Sequence, residues 1–122
     1  MTRKKILLVD DADTVLLMEK MILSKGYDLI TAKNGEEAIT TALAEQPDLI
    51  LLDVIMPKMD GLEACKQLKQ QPSLSSIPII MVTTRGEVQN VETAFANGCT
   101  DYVTKPINGI ELLSKVKNYV GE

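Results

Sequence analysis

Histidine and tryptophan are absent from this chain of 122 residues. Without an imidazole the chain cannot carry a phosphohistidine, and any phosphoryl donor must be another molecule. Cysteine is scarce. Cys65 and Cys99 are two thiols with no histidine beside them, which makes a zinc site improbable. Each sits among apolar or small residues and reads as packing in a reducing compartment. Aromatic residues are only 3% of the chain, so the core must be built from Leu, Ile, Val, Met and Ala. No apolar run approaches the length of a membrane span. Arg3-Lys4-Lys5 is followed by only four apolar residues before two aspartates, which is not a secretory leader. A cytoplasmic location is the default expectation. Positive charge is in deficit, with 13 Lys and Arg against 17 Asp and Glu, a net charge of −4 and a pI near 4.9. That balance argues against binding nucleic acid by phosphate neutralisation.

What is present is a regular alternation. At 45% hydrophobic and 25% charged, the chain has the composition of an ordinary globular protein, and its length suits one domain. Short apolar runs without polar alternation, Ile6–Val9, Asp48–Asp53 and Ile79–Val82, read as strands buried on both faces. Asp28–Ala32 is a weaker edge-side strand and Thr100–Val103 a short one. Helical patterns lie between them. Asp13 is expected to cap a helix from about Thr14 to Ser24, ended by Gly26. Asn34-Gly35 leads into a helix from about Glu36 to Ala44, closed by Pro47. Asp60 is expected to cap a helix from about Leu62 to Gln70. Arg85-Gly86 leads into one from about Val88 to Ala96, and Asn108 caps the last, from about Gly109 to Val120. Five strands alternating with five helices imply a parallel sheet with helices on both faces and right-handed crossovers. One domain, 1–122, is expected, with no appended effector.

The strand ends carry the chemistry. Ligands of open α/β sheets bind at the carboxyl edge. The first strand ends in Asp10-Asp11, the third in Asp53, the fourth in Thr83-Thr84 and the fifth in Lys105-Pro106. A hard divalent cation such as Mg²⁺ takes oxygen ligands, and the acid pair with Asp53 could hold one. The alternative for the pair, that one aspartate only caps the next helix, is weakened because Asp13 is available for that role. Asp53 reads as a metal ligand, a nucleophile that attacks phosphorus to form an acyl phosphate, or both. Lys105 suits the stabilisation of developing phosphate charge, and Lys105-Pro106 is a candidate cis peptide bond. Thr83 could hydrogen-bond a phosphoryl oxygen.

Together these residues resemble the receiver domain of bacterial two-component response regulators, single-domain chemotaxis-type regulators in particular. The resemblance runs over essentially the whole chain. It rests on Asp10-Asp11 after a strand, Asp53 followed by Met56-Pro57 and Asp60-Gly61, Thr83, and Tyr102 with Lys105-Pro106. It implies a flavodoxin-like three-layer sandwich with strand order 2-1-3-4-5. It implies that Asp53 accepts a phosphoryl group from a histidine kinase or histidine phosphotransfer protein. Mg²⁺ or Mn²⁺ would be held by Asp11, Asp53 and the backbone carbonyl of Ile55, with Asp10 acting through water. Lys105 would pair with the phosphoryl oxygens. Thr83 would move onto the phosphoryl group while Tyr102 turns inward. The surface of the fourth helix, fifth strand and fifth helix would change, to be read by a downstream target protein. The oligomeric expectation is a monomer or a weak phosphorylation-dependent dimer, and the molecule is a slow self-limited switch rather than an enzyme.

Two positions depart from polar patterns that would orient water. Ile55 is two residues after the phosphoacceptor and Arg85 two after Thr83. An isoleucine cannot orient a water, so a long-lived phosphoryl group is expected. Thr84 is bulkier than the small residue common beside the switch threonine, which would slightly reduce phosphoryl access. The first helix has an excess of apolar residues. Val15, Met18 and Ile22 suit the core, which leaves Leu16, Leu17, Met21 and Leu23 as scattered surface residues or as a docking patch for the phosphodonor. Competing functions are weaker. A haloacid-dehalogenase-type hydrolase would have an aspartate where Ile55 stands. A partner-binding pseudo-receiver would not need the intact acid pair, Asp53, Thr83 and Lys105. A flavin carrier lacks its glycine-rich phosphate loop after the first strand.

Overall fold

The computed structural model describes residues 3–84 and 88–121. Strands and helices alternate as β1 (Lys5–Val9), α1 (Asp13–Leu23), β2 (Asp28–Ala32), α2 (Gly35–Glu45), β3 (Leu49–Asp53), α3 (Gly61–Gln70), β4 (Ile79–Thr84), α4 (Val88–Ala96), β5 (Asp101–Lys105) and α5 (Gly109–Val120). The strands form one parallel sheet in the order β2-β1-β3-β4-β5. This is the flavodoxin-like arrangement. The continuous apolar runs occupy the middle of the sheet: β3 is buried along its whole length, whereas β2 and β5 are partly exposed edges.

The strand period of two divides the core into two layers. Leu7, Val9, Ile50, Leu52, Ile79 and Met81 pack against α2, α3 and α4 through Ala38, Ala42, Ala64, Leu68 and Ala94. Ile6, Leu8, Leu49, Leu51, Ile80, Val82 and Val103 pack against α1 and α5 through Leu16, Leu23, Leu112 and Val116. The small residues of the first layer let helices approach the sheet closely. Among the described residues no helix is long and apolar enough to cross a membrane.

Three helices start as their sequences imply. Asn34, Asp60 and Asn108 each accept, through the side-chain oxygen, a bond from the backbone N–H three residues on, at 2.9, 2.9 and 3.0 Å. Each such cap contributes about 1 kcal/mol.

The first helix departs from expectation. Asp13 does not cap it. The cap position is Ala12, without a side-chain bond, and Asp13 lies inside the first turn, paired with Lys33. Its buried stripe is Leu16, Glu19 and Leu23; of the expected Val15, Met18 and Ile22, Ile22 packs half-buried against that core, Val15 is half-buried and Met18 is 45% exposed. The fifth strand is longer than expected, and β3 begins one residue late, at Leu49, while Asp48 bonds Lys5 through both its carboxylate and its backbone N–H.

Candidate functional site

The strand order reverses between β1 and β3, whose outgoing connections lead to opposite sides of the sheet. The pairing Val9–Leu52 sets the next residues, Asp10 and Asp53, side by side at the carboxyl edge of that crevice. Asp10 is 1% and Asp53 6% exposed. Both continue the rows that face α1 and α5: Ile6 and Leu8 lead to Asp10, Leu49 and Leu51 to Asp53. Lys105 stands two residues beyond Val103 on the same row of β5. Its long side chain reaches back across the edge, and Nζ lies 3.2 Å from Asp53 Oδ1 and 3.2 Å from Asp10 Oδ2. The Lys105–Pro106 peptide bond is cis.

One cation between two buried acids does not balance their charge. Burial pushes the Asp53 carboxyl up to about 6, the Asp10 charge adds to the rise, and Lys105 opposes it. Burial alone would lower the Lys105 ammonium, but Asp53 and Asp10 outweigh it and its pKa is raised. Asp11 is exposed at the mouth. Oxygens from Asp10, Asp11 and Asp53, one each, lie within 4.8 Å of one another. An all-carboxylate donor set with excess negative charge fits a hard divalent cation. Asp10 also accepts a bond from the Ala12 N–H at 2.9 Å through Oδ1, so it helps start α1 as well as facing Lys105.

The loop beneath Asp53 is tight. Gly61 N–H donates to Val54 O at 2.7 Å. A Cβ on Gly61 would collide with the Asp53 carbonyl oxygen and lie 2.8 Å from its carbon. Glycine is required there so that α3 can start directly under the strand end. Ile55 leaves its side chain 61% exposed beside the mouth.

Thr83 ends the Ile79–Met81 row, on the face opposite the acids. It is 2% exposed, and its Oγ1 has no hydrogen-bond partner among the described residues. Thr84 is exposed, and Arg85 lies outside the described residues. Tyr102 points outward at 36% exposure. Its ring meets Phe95 edge-on at 6.3 Å between centroids. Lys115 Nζ lies 5.2 Å from the ring centroid and donates to Tyr102 O at 2.5 Å and Asp101 Oδ1 at 3.1 Å. The side chains thus gather into a cluster of Asp10, Asp11, Asp53 and Lys105; Thr83 follows Val82, the register partner of Asp53, and Tyr102 lies apart on the outer surface.

Sequence reasoning missed Glu19. It is 1% exposed on the sheet-facing stripe of α1. Its spacing from Leu16 and Leu23 was the available signal. The exposed apolar residues of α1 are Leu17, Met18 and Met21, at 59%, 45% and 72%.

A family model for the response regulator receiver domain matches residues 6–117. The alkaline phosphatase synthesis transcriptional regulatory protein PhoP of Bacillus subtilis is 45% identical over 115 residues, covering 93% of this chain and 47% of that protein. The chain thus spans about half the length of this relative, and 25% of the response regulator PleD of Caulobacter vibrioides, to which it is 38% identical. Among solved structures, the chemotaxis protein CheY4 of Vibrio cholerae superposes with a TM-score of 0.91 at 33% identity, covering 97% of this chain and 99% of that one. The receiver domain of sensor histidine kinase PA1611 of Pseudomonas aeruginosa, with a magnesium ion coordinated in its active-site cleft, gives 0.90 at 27% identity, covering 99% and 100%. With the match running from β1 into α5, this chain belongs to the response regulator receiver domain family.

Proposed function

We propose that Asp53 accepts a phosphoryl group from a phosphohistidine on a kinase or phosphotransfer protein, and that the chain works as a switch in a phosphorelay. The observation that carries this reading is the Lys105 ammonium held 3.2 Å from both Asp53 and Asp10 at the sheet edge. A carboxylate with a raised pKa of about 6 is still ionised at neutral pH and free to attack. An Asp53 oxygen forms the new P–O bond while the donor's N–P bond breaks. The donor imidazole leaves with the electron pair and takes up a proton. Lys105 then exchanges a carboxylate partner for the phosphoryl oxygens, where its charge opposes the charge that accumulates there. Asp10, Asp11 and Asp53, with the Ile55 carbonyl, would hold Mg²⁺ or Mn²⁺, which supplies charge neutralisation for two anions brought together.

The readout follows from two side chains in incomplete environments. Thr83 Oγ1 is buried without a partner among the described residues, and a phosphoryl oxygen would supply one. Tyr102 then turns inward, and the α4-β5-α5 surface changes for a target protein. That is a shift between two states, biased by contacts made in only one of them. The phosphodonor docks on the exposed Leu17, Met18 and Met21 of α1, the helix that follows the acid pair. Intact-mass measurement after acetyl phosphate and Mg²⁺ tests the chemistry. A phosphoryl adduct on the native chain that is missing in Asp53→Asn is expected. An adduct that survives in that variant, or none on the native chain, overturns the proposal.

A further inference from the structure

The Tyr102 ring is met from two sides by residues to which the phosphoryl-transfer reading gives no task. Tyr102 pairs in register with Met81 on the edge strand β5 and is 36% exposed. A ring so placed has little packing of its own to fix its direction. α4 supplies Phe95, edge-on at 6.3 Å between centroids. α5 supplies Lys115, with Nζ 5.2 Å from the ring centroid. The place of that ammonium does not depend on the ring. It is set by Asp101 Oδ1 at 3.1 Å, Tyr102 O at 2.5 Å and Glu111 Oε2 at 3.8 Å. Asp101 is held in turn: Tyr119 Oη donates to its Oδ2 at 3.0 Å, and the Tyr102 N–H donates to its Oδ1 at 2.7 Å. A cation anchored by two acids and a main-chain carbonyl is thus already in position over the outward ring.

We propose that Lys115 and Phe95 form a latch that holds the Tyr102 ring outward, so that these two positioning residues set how readily the chain switches. The inference rests on the reading in which Tyr102 turns inward once Asp53 holds a phosphoryl group. The face of the ring attracts the cation, and its charge distribution favours the edge-on neighbour. An inward ring gives up both contacts, because Lys115 stays with its acids and Phe95 lies on the outer surface, 44% exposed. Each contact favours the outward ring on the order of threefold. A group that binds only the inward state is weakened by the same factor, since the ring must be freed first.

The test is calorimetric titration of the Mg²⁺-saturated full chain with beryllofluoride, a tetrahedral stand-in for the phosphoryl group on Asp53. Wild type is compared with Lys115→Met, which keeps the length without the charge, and Phe95→Leu, which keeps apolar bulk without the ring. Each variant is expected to bind about threefold more tightly than wild type, and the double variant about tenfold. Lys115→Arg keeps a cation for the ring and is expected to match wild type. In a Tyr102→Ala background, Lys115→Met is expected to change nothing. Residues that only pack would lower the urea midpoint and leave the affinity alone. Wild-type affinity in both single variants, or a Lys115 effect that persists without Tyr102, overturns the latch and leaves the phosphoryl site standing. Failure of wild type to bind beryllofluoride overturns both.

Discussion

Replacing Asp53 by asparagine should stabilise the cation-free protein. In the fold Asp53 is pushed from 3.8 to about 6 by burial, then by Asp10, against the pull of Lys105. A tenfold gain in proton affinity on folding corresponds to about 1.4 kcal/mol, so ionised Asp53 costs the fold up to about 3 kcal/mol. The carboxylate lies near a solvent-facing mouth, and screening brings the usable figure to about 1–3 kcal/mol. The native value lies above the unfolded one, so the folded state binds this proton more tightly. The cost fades as pH falls below about 4, where the unfolded state also takes up the proton. It grows as pH rises towards 6 and persists above. Asparagine cannot charge and escapes it. Urea unfolding followed by circular dichroism, in EDTA at pH 7.5, should place Asp53→Asn about 1–3 kcal/mol above wild type, roughly 4 °C of melting temperature per kcal/mol for a chain of this size. At pH 4 most of the gap should be gone. Adding Mg²⁺ should narrow the gap, because binding stabilises wild type by mass action. An asparagine variant less stable than wild type at pH 7.5 in EDTA, or an equal gain at pH 4, would contradict this account of the buried charge.

Gly61→Ala should cost about 3 kcal/mol or more, because the methyl group meets the Asp53 carbonyl; an unchanged urea midpoint would show that the loop yields freely. Leu17→Glu should slow phosphotransfer from a phosphohistidine partner on the order of tenfold, the loss of one apolar contact residue, while leaving phosphorylation by acetyl phosphate unchanged. Equal slowing of both would argue against docking on α1. Ile55→Asn adds a side chain able to orient water at the mouth. One hydrogen bond of about 1 kcal/mol would speed autodephosphorylation roughly fivefold, and an unaltered half-life would remove Ile55 from the control of phosphoryl lifetime.

Much of this architecture is legible in the amino-acid sequence. Strand ends, the caps at Asn34, Asp60 and Asn108, and the gathering of Asp10, Asp53 and Lys105 follow from local punctuation and from the topology of a parallel sheet. The first helix could not be read in the same way. Val15, Leu16, Leu17, Met18, Met21, Ile22 and Leu23 allow several apolar stripes, and the true one contains an acid. The charge of Glu19 argues for solvent, whereas packing buries it on the Leu16–Leu23 stripe. The cap at Asp13 failed for a tertiary reason as well: Lys33, twenty residues away, draws that carboxylate. The Lys115 and Phe95 contacts to Tyr102 also join separate elements and leave no trace in local sequence.

The alternation of the strands has a last consequence, for how such a molecule can diverge. Acids and lysine end the rows facing α1 and α5, and Thr83 ends a row facing α2, α3 and α4. The carboxyl edge is thus a seam where the two helical layers meet. A group bound at the acids would be felt in both layers, since α5 backs the acids and Thr83 belongs to the other side. A substitution in either layer would then alter the chemistry and the recognition surface together. A duplicated copy would change its timing and its audience in step.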